Sequence, residues 1–341
     1  MKRIRVAIVG VGVMGQTHAH VYHKELSSEV ELVGICDTNA EQGQKVATQT
    51  QSQFFPKYED LIGKIDAVNI VVPTFLHHQV ALFFLEHRVP ILLEKPIAST
   101  VKEAEEIVQL AESTQTLLQI GHLERFNPVF TRLKEKNLKP AYIEAYRIAQ
   151  FTPRVKDVGV VLDLMIHDID IVLHITRSPI RQIQAVGVNI MGEHEDIANA
   201  RIEFENGCVA TLTASRISMK RERKIRLFGK NFYGILNYDQ LTGQIIEKDP
   251  VVDGKWLLEH NITGISALNP EVLEVVGKLL KVDNFSLSHE ERPLQKQLRS
   301  FIQCVRENKT PEVTGRDGLM ALQTGVEICN QLERFKRHHL P

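Results

Sequence analysis

The segment from Ile4 to Asp37 constrains the fold of this chain more than any other. An apolar strand-like run (Ile4, Val6, Ile8, Val9) leads into Gly10-Val11-Gly12-Val13-Met14-Gly15; a helix-like segment follows, and a second strand-like run, Val30 to Cys36, stops at Asp37. A G-x-G-x-x-G pattern alone says little, because glycine turns are common. Here strand, glycine turn, helix and acid occur in order, with Asp37 22 residues past Gly15, which is the arrangement of a dinucleotide-binding βαβ unit. Gly10 permits the tight turn, Gly12 lets the backbone approach a pyrophosphate, and Gly15 lets the helix lie close to the strand. The helix N-terminus, with Val13 and Met14 in its first turn, then faces the phosphates. Asp37 would accept hydrogen bonds from a ribose 2′-hydroxyl and repel a 2′-phosphate. The following Thr38 and Asn39 supply no arginine for such a phosphate, so the pattern favours NAD over NADP.

Over residues 1–122 strand-like and helical segments alternate. Strands are expected at Ile4–Val9, Val30–Cys36, Ala67–Val72, Ile91–Leu93 and Thr116–Ile120, with helices between them such as His78–His87 and Val101–Ser113. The last of these is preceded by Thr100-x-x-Glu103, a capping box. The strands are mostly continuous Val, Ile and Leu, as when helices cover both faces, so this half predicts a doubly wound parallel sheet. After His122 the rhythm changes. One apolar helical segment, Val160–Ile175, precedes alternating strands at Arg181–Ile190, Ala198–Glu205, Val209–Ile217, Lys224–Phe228 and Phe232–Tyr238, and Glu205-Asn206-Gly207 makes a hairpin turn between two of them. Residues 255–286 are poorly patterned, and helices at Leu294–Glu307 and Asp317–Lys336 close the chain. The expectation is a Rossmann-like nucleotide domain over 1–122. An α+β domain over 123–341 follows, with a large, open, mostly antiparallel sheet and helices on one face.

A chain of 341 residues has room for two such domains. A net charge of -1 and a pI near 6.9 give no reason to expect a nucleic acid partner. The four cysteines (Cys36, Cys208, Cys304, Cys329) are scattered, which fits reduced thiols in the cytoplasm. No apolar run reaches membrane-spanning length, and Met1-Lys2-Arg3 leads into the first strand without a signal-peptide pattern. Both observations point to a cytoplasmic chain with no membrane partner.

Three places carry candidate chemistry. Glu94-Lys95-Pro96 follows the strand Ile91–Leu93 directly. Ligands of open α/β sheets bind at the carboxyl ends of the strands, so Lys95 lands at the cofactor's edge, where an ammonium can stabilise a developing alkoxide. In the apolar helix Val160–Ile175, Asp163, His167, Asp170 and His174 are spaced 4, 3 and 4. At ~100° per residue they share one face within about 60°, with Asp168 off that face. Asp163 and His167 are expected to line a cleft, the carboxylate orienting an imidazole suited to take a proton near neutrality; Asp170 and His174 are read as structural. Gly121-His122-Leu-Glu-Arg125-Phe-Asn127-Pro128 ends the last Rossmann-like strand, where Arg125 would clamp a phosphate or carboxylate and Asn127 bond a hydroxyl. Arg147 and Arg154, on or just after the strand entering the second domain, are further substrate candidates. Pro73, Thr74 and His77 follow the strand Ala67–Val72 and would pass beside the nicotinamide ribose. The close pairs His18-x-His20, His77-His78 and His167-Asp168-x-Asp170 have no metal-site spacing, so no metal is expected.

Together Gly10-Val-Gly-Val-Met-Gly15, Asp37, Glu94-Lys95-Pro96 and Asp163-x-x-x-His167 resemble the Gfo/Idh/MocA family of glucose–fructose oxidoreductases and inositol dehydrogenases, and the resemblance spans the whole chain. It implies an NAD-dependent oxidoreductase in which Lys95, Asp163 and His167 form the catalytic group. It also implies homodimers or homotetramers formed through the outer face of the large sheet. Family members commonly carry a glycine where this chain has Met165, a bulk that argues against a plain cyclitol or hexose. Asp163-Leu-Met-Ile-His-Asp-Ile-Asp170 and Gly121-His-Leu-Glu-Arg-Phe-Asn-Pro128 resemble the branch acting on nucleotide-activated amino sugars. The implied reaction is oxidation at C3 of a UDP-linked N-acetylhexosamine to a keto sugar. The alternatives are a free polyol or aldose as substrate, or a non-catalytic NAD-binding sensor or corepressor on the same fold. Replacing Asp37 with Ala is expected to weaken NAD binding far more than NADP binding, measured by titration; an equal loss for both would contradict the ribose contact.

Overall fold

The computed structural model describes residues 2–150, 159–191, 193–248, 280–288 and 292–339. The chain divides into two compact units, one of Met1–Asn127, Ile169–Ile171 and His289–Cys329, the other of Pro128–Asp168, Val172–Ser288 and Asn330–Pro341.

In the first unit six parallel strands, β1 (Ile4–Val9), β2 (Val30–Cys36), β3 (Gln53–Phe55), β4 (Ala67–Ile70), β5 (Ile91–Leu93) and β6 (Leu118–Ile120), lie in the order β3-β2-β1-β4-β5-β6. The order reverses between β1 and β4, which opens a ligand crevice at their carboxyl ends. Helices α1 (Val13–Lys24), α2 (Ala40–Gln49), α3 (His77–Glu86) and α4 (Val101–Ser113) connect the strands. At the start of α4 the capping box is complete: Glu103 N donates to Thr100 Oγ1 and Thr100 N to Glu103 Oε2. Strand β3 was not expected from the sequence. It has three residues and pairs only with β2, too short a run to show a period.

Helix α7 (Pro293–Glu307) completes this core from far along the chain. Its Leu298, Phe301 and Ile302 are fully buried in one cluster with Val6, Ile8, Ala19, Tyr22 and Leu26, and α7 packs on α1. Arg299 Nε, on the same helix, bonds Glu29 Oε1 at 2.9 Å. Helix α8 (Gly315–His339) follows; among the described residues no helix is long and apolar enough to cross a membrane.

The second unit is an eight-stranded sheet of β7 (Tyr142–Gln150), β8 (Ile180–Val188), β9 (Ile197–Phe204), β10 (Val209–Ser218), β11 (Glu222–Gly229), β12 (Phe232–Asn237), β13 (Thr242–Lys248) and β14 (Leu280–Ser286). Their order is β14-β13-β12-β11-β7-β10-β9-β8, antiparallel throughout except for β7 with β10. The β9–β10 hairpin turns at Gly207 (φ +84°), and Cys208 N donates to Asn206 Oδ1. Along β7, Ile143, Ala145 and Arg147 face inward and Tyr142, Glu144 and Tyr146 outward, the alternation of a half-covered sheet. Helix α5 (Pro128–Glu135) packs on β12. Strands β13 and β14 correct the sequence expectation; β14 lies in the stretch read as poorly patterned, whose residues up to 279 are outside the described ones.

The apolar helix also departs from a regular one. Val161–Met165 form a π turn, with the Ile166 N–H reaching back to Val161 O, and only Ile166–Thr176 (α6) is α-helical. A π turn holds one residue more than an α turn, so the 100° spacing used to align Asp163 with His167 does not apply across the junction.

Phe301→Ala is expected to destabilise the protein by about 3–5 kcal/mol in urea unfolding. A loss under about 1 kcal/mol, the scale of an ordinary surface substitution, would contradict the place of α7 in the first unit's core.

Candidate active site

The glycine turn leaves bare backbone where phosphates are expected. Gly10 has φ +91°, and a Cβ there would lie 2.7 Å from the backbone of Val71 and Val72. A Cβ on Gly15 would fall 2.0 Å from Gly10 O, whereas one on Gly12 would meet nothing within 4 Å. The turn is therefore closed inward and open outward. Helix α1 begins at this opening with no side-chain cap and no acid in its first turn, so its N–H groups and positive dipole end are available to an anion. Asp37 accepts from Val11 N at 2.7 Å and Asn39 N at 2.8 Å, which orients the carboxylate at the end of β2. Val13, Met14 and Phe75 are exposed apolar side chains beside the ends of β1 and β4, surface that a bound dinucleotide would cover. Pro73 is exposed and Thr74 half-buried in the short turn leading to α3. These residues fit NAD.

His77 does not. It is buried, with Nδ1 2.8 Å from Pro96 O and Nε2 3.0 Å from Val72 O, so it clamps two backbone segments and has no face left for a cofactor. A neutral ring can donate to only one of these carbonyls at a time. Burial nevertheless holds its pKa below the usual 6.5, against both carbonyl bonds.

Lys95 is half-buried just past β5. Its backbone N–H points at Glu94 Oε2, 3.3 Å away, while Glu94 Oε1 lies 3.4 Å from His18 Nε2. Burial pushes the Glu94 carboxyl up, but nearby His18 and the Lys95 charge outweigh it and leave its pKa below the ordinary value. His122 is buried; that burial lowers its pKa, and it feels the charges of Asp170, Arg125, Lys95 and Glu94, which groups these residues at one end of the sheet. His18 is the residue the sequence reasoning missed. Its only signal was its place one turn after Gly15.

Two expected substrate arginines belong to the protein interior instead. Arg125 is buried and grips Asp170 through Nε (2.6 Å) and Nη2 (2.8 Å), with Asp317 at 3.6 Å. Arg147 grips Asp168 in the same two-pronged way at 2.9 and 2.8 Å. A buried aspartate needs such a partner, and a guanidinium fork matches a carboxylate. Asn127 is also buried, with Nδ2 on Glu124 Oε2. Arg154 lies outside the described residues. Asp170 is held by Arg125, and His174 packs edge-on to Phe130.

In the second unit the π turn is fastened by Glu195, which takes Val161 N on Oε1 at 3.1 Å and Val160 N on its backbone oxygen at 3.0 Å. The turn packs on β10, carrying Asp163 just before the α-helical stretch with His167; both are half-buried. Met165, where relatives commonly carry glycine, is fully buried. Among the described residues no three His, Cys, Asp or Glu side chains gather as a metal site.

Residues 4–122 match the family model for the GFO/IDH/MocA oxidoreductase family, NAD-binding Rossmann fold, and residues 120–232 match the GFO/IDH/MocA C-terminal domain. The chain is 35% identical over 336 residues to UDP-N-acetylglucosamine 3-dehydrogenase of Acidithiobacillus ferrooxidans, covering 98% of this chain and 99% of the relative. It is 26% identical over 355 residues to scyllo-inositol 2-dehydrogenase (NAD(+)) of Bacillus subtilis, covering 96% and 94%. A solved structure of the Acidithiobacillus enzyme superposes with a TM-score of 0.85 at 28% identity, covering 98% of this chain and 99% of that one. The chain belongs to the GFO/IDH/MocA oxidoreductase family. It is an NAD-dependent oxidoreductase whose first unit carries the family's NAD-binding Rossmann fold.

His77 and His122 titrate lower in the fold than the ordinary 6.5, so unfolding takes up protons between 6.5 and their lower folded values. Their contribution to stability is complete above that window and is lost as pH falls through it. The melting temperature is expected to fall from pH 7 to pH 5, and less steeply in His77→Gln; an unchanged slope in that variant would contradict the buried neutral ring.

Proposed function

We propose that this protein oxidises the C3 hydroxyl of a UDP-linked N-acetylhexosamine to a keto sugar with NAD. The observation that carries the reading is the end-to-end 35% identity to a UDP-N-acetylglucosamine 3-dehydrogenase. It is joined to Lys95 at the carboxyl end of β5, next to the half-buried Glu94, whose pKa is held below the ordinary carboxyl value. Residues Gly10, Gly12 and the first turn of α1 would hold the pyrophosphate, Asp37 the adenine ribose, and Pro73, Thr74, Glu94 and Lys95 the nicotinamide end. When bound, the nicotinamide supplies the hydride acceptor. Lys95 stabilises the negative charge developing on the substrate oxygen. His167, oriented by Asp163, takes the hydroxyl proton. His122 borders the sugar on the Lys95 side. A free polyol is the second reading, supported by the 26% identity to scyllo-inositol 2-dehydrogenase.

The enzyme is further proposed to be cytoplasmic and to form homodimers or homotetramers through the outer face of the large sheet. There Arg226 lies over the rings of Phe228 and Tyr233, and Tyr142 stacks on Phe228. The described cysteines are free thiols.

NADH formation is expected with UDP-N-acetylglucosamine and not with myo-inositol; the reverse would favour the polyol reading. General acid–base help is worth on the order of 10²–10⁴-fold, so Lys95→Met and His167→Ala should each lower kcat at least tens-fold with NAD affinity retained. Normal rates in both would overturn the role assignments.

A further inference from the structure

Asp163 and His167 ride on a helix start that is tied down from elsewhere in the second unit. Asp163 N donates to Gly159 O at 3.1 Å, and Ile166 N reaches back to Val161 O across the π turn. Val160 N and Val161 N lie in the first turn, where an N–H has no carbonyl of its own helix to reach. Both are taken by one residue, 34 positions beyond Val161: Glu195 accepts Val161 N on Oε1 at 3.1 Å and Val160 N on its backbone oxygen at 3.0 Å. Glu195 therefore caps this helix from far along the chain.

The cap stands on a fixed base just ahead of β9. Asp196, the next residue, accepts Ile190 N and Met191 N on Oδ2, both at 2.7 Å, and Arg216 Nε on Oδ1 at 2.7 Å. Asp196 N donates to Val188 O and Arg216 N to Asp196 O, each at 2.9 Å, which ties the segment to β8 and β10. Glu195 and Asp196 are both buried. On the helix side Gly159 makes room: a Cβ there would lie 2.0 Å from Glu195 Oε1 and 2.3 Å from Cδ and Oε2. A larger residue at 159 would push the carboxyl group off Val161 N.

We propose that Glu195 is a positioning residue for Asp163 and His167: its bond to Val161 holds the π turn in the arrangement that presents both side chains. Val161 is the hinge of the argument in space, because its N–H is held by Glu195 and its carbonyl receives Ile166 N, one residue before His167. The link from cap to imidazole thus runs through backbone bonds alone. The inference rests on the roles given to Asp163 and His167 above.

The test compares full-length wild type, Glu195→Ala, Glu195→Gln and Gly159→Ala. Glutamine keeps a side-chain oxygen for Val161 N, alanine removes it, and Gly159→Ala displaces the carboxyl group without deleting it. The first readout is carbethoxylation of His167 by diethyl pyrocarbonate, with and without NAD, located by mass spectrometry against the exposed His87 as internal standard. A released turn should raise the His167 rate about three-fold or more in Glu195→Ala and Gly159→Ala, and Glu195→Gln should stay near wild type. The second readout is steady-state kinetics with NAD and UDP-N-acetylglucosamine. In the two alanine variants kcat should fall at least about ten-fold, with KM for the sugar nucleotide changed by less than about two-fold; Glu195→Gln should recover most of kcat. A purely structural cap would lower the melting temperature and leave kcat of the folded enzyme intact, which would overturn the proposal. Equal effects of Ala and Gln at position 195 would overturn it too, as would an unchanged His167 rate in both alanine variants. If Glu195→Ala does not fold, Gly159→Ala carries the comparison. Carbethoxylation needs no substrate, so a wild type inactive on every sugar would sink the functional reading and still leave the His167 rates to decide whether Glu195 sets the turn.

Discussion

Helix α1 lies so close to β1 that a Cβ on Gly15 would sit 2.0 Å from the Gly10 carbonyl oxygen, and the first unit is organised by that contact. It brings the helix start to the carboxyl edge of the sheet with its N–H groups uncapped, the condition for holding a pyrophosphate. It carries His18 to Asn69 and Glu94 one turn later. Further along, Tyr22 and Leu26 meet the buried face of α7, a helix from far downstream, in one apolar cluster. A helix held further from the sheet would lose all three.

Buried charge is the second organising element. Arg125 with Asp170, Arg147 with Asp168 and Arg216 with Asp196 are each buried pairs with short bonds. Such pairs add little stability against an apolar replacement, but removing one partner strands the other at a cost of about 3–5 kcal/mol. They explain why an otherwise apolar helix carries aspartates. Asp168 and Asp170 are anchoring points for guanidinium forks, while Asp163 and His167 stay half-buried at the π-to-α junction. A π turn often marks a functional position, because it turns side chains away from the direction an α-helix would give them.

Much of the scaffold was legible in the sequence, and the reasons are local. Strands β1, β2 and β5 are continuous apolar runs bounded by turn residues, and α4 announces itself with Thr100 and Glu103. The Asn206-Gly207 hairpin and the order of parallel and antiparallel halves follow from equally short-range signals. What stayed hidden depends on partners far along the chain. Strands β3 and β14 hold together through neighbours rather than through a period of their own. Arg125 and Arg147 looked like ligands for a substrate anion because an arginine's partner, 45 or 21 residues away, leaves no trace in spacing. His77 was expected beside the nicotinamide ribose, yet its ring nitrogens are taken by Val72 and Pro96. His18 escaped notice because its partner Glu94 lies on a distant strand end.

The proposed hydride removal from C3 of the sugar by a nicotinamide held on the first unit can be followed directly by isotope transfer. Incubation of the enzyme with NAD and UDP-N-acetylglucosamine deuterated at C3 should give NADH carrying the deuterium at C4 of its ring, together with an unlabelled 3-keto sugar. NADH formed without deuterium would contradict the site of oxidation, and no NADH at all would contradict the reaction.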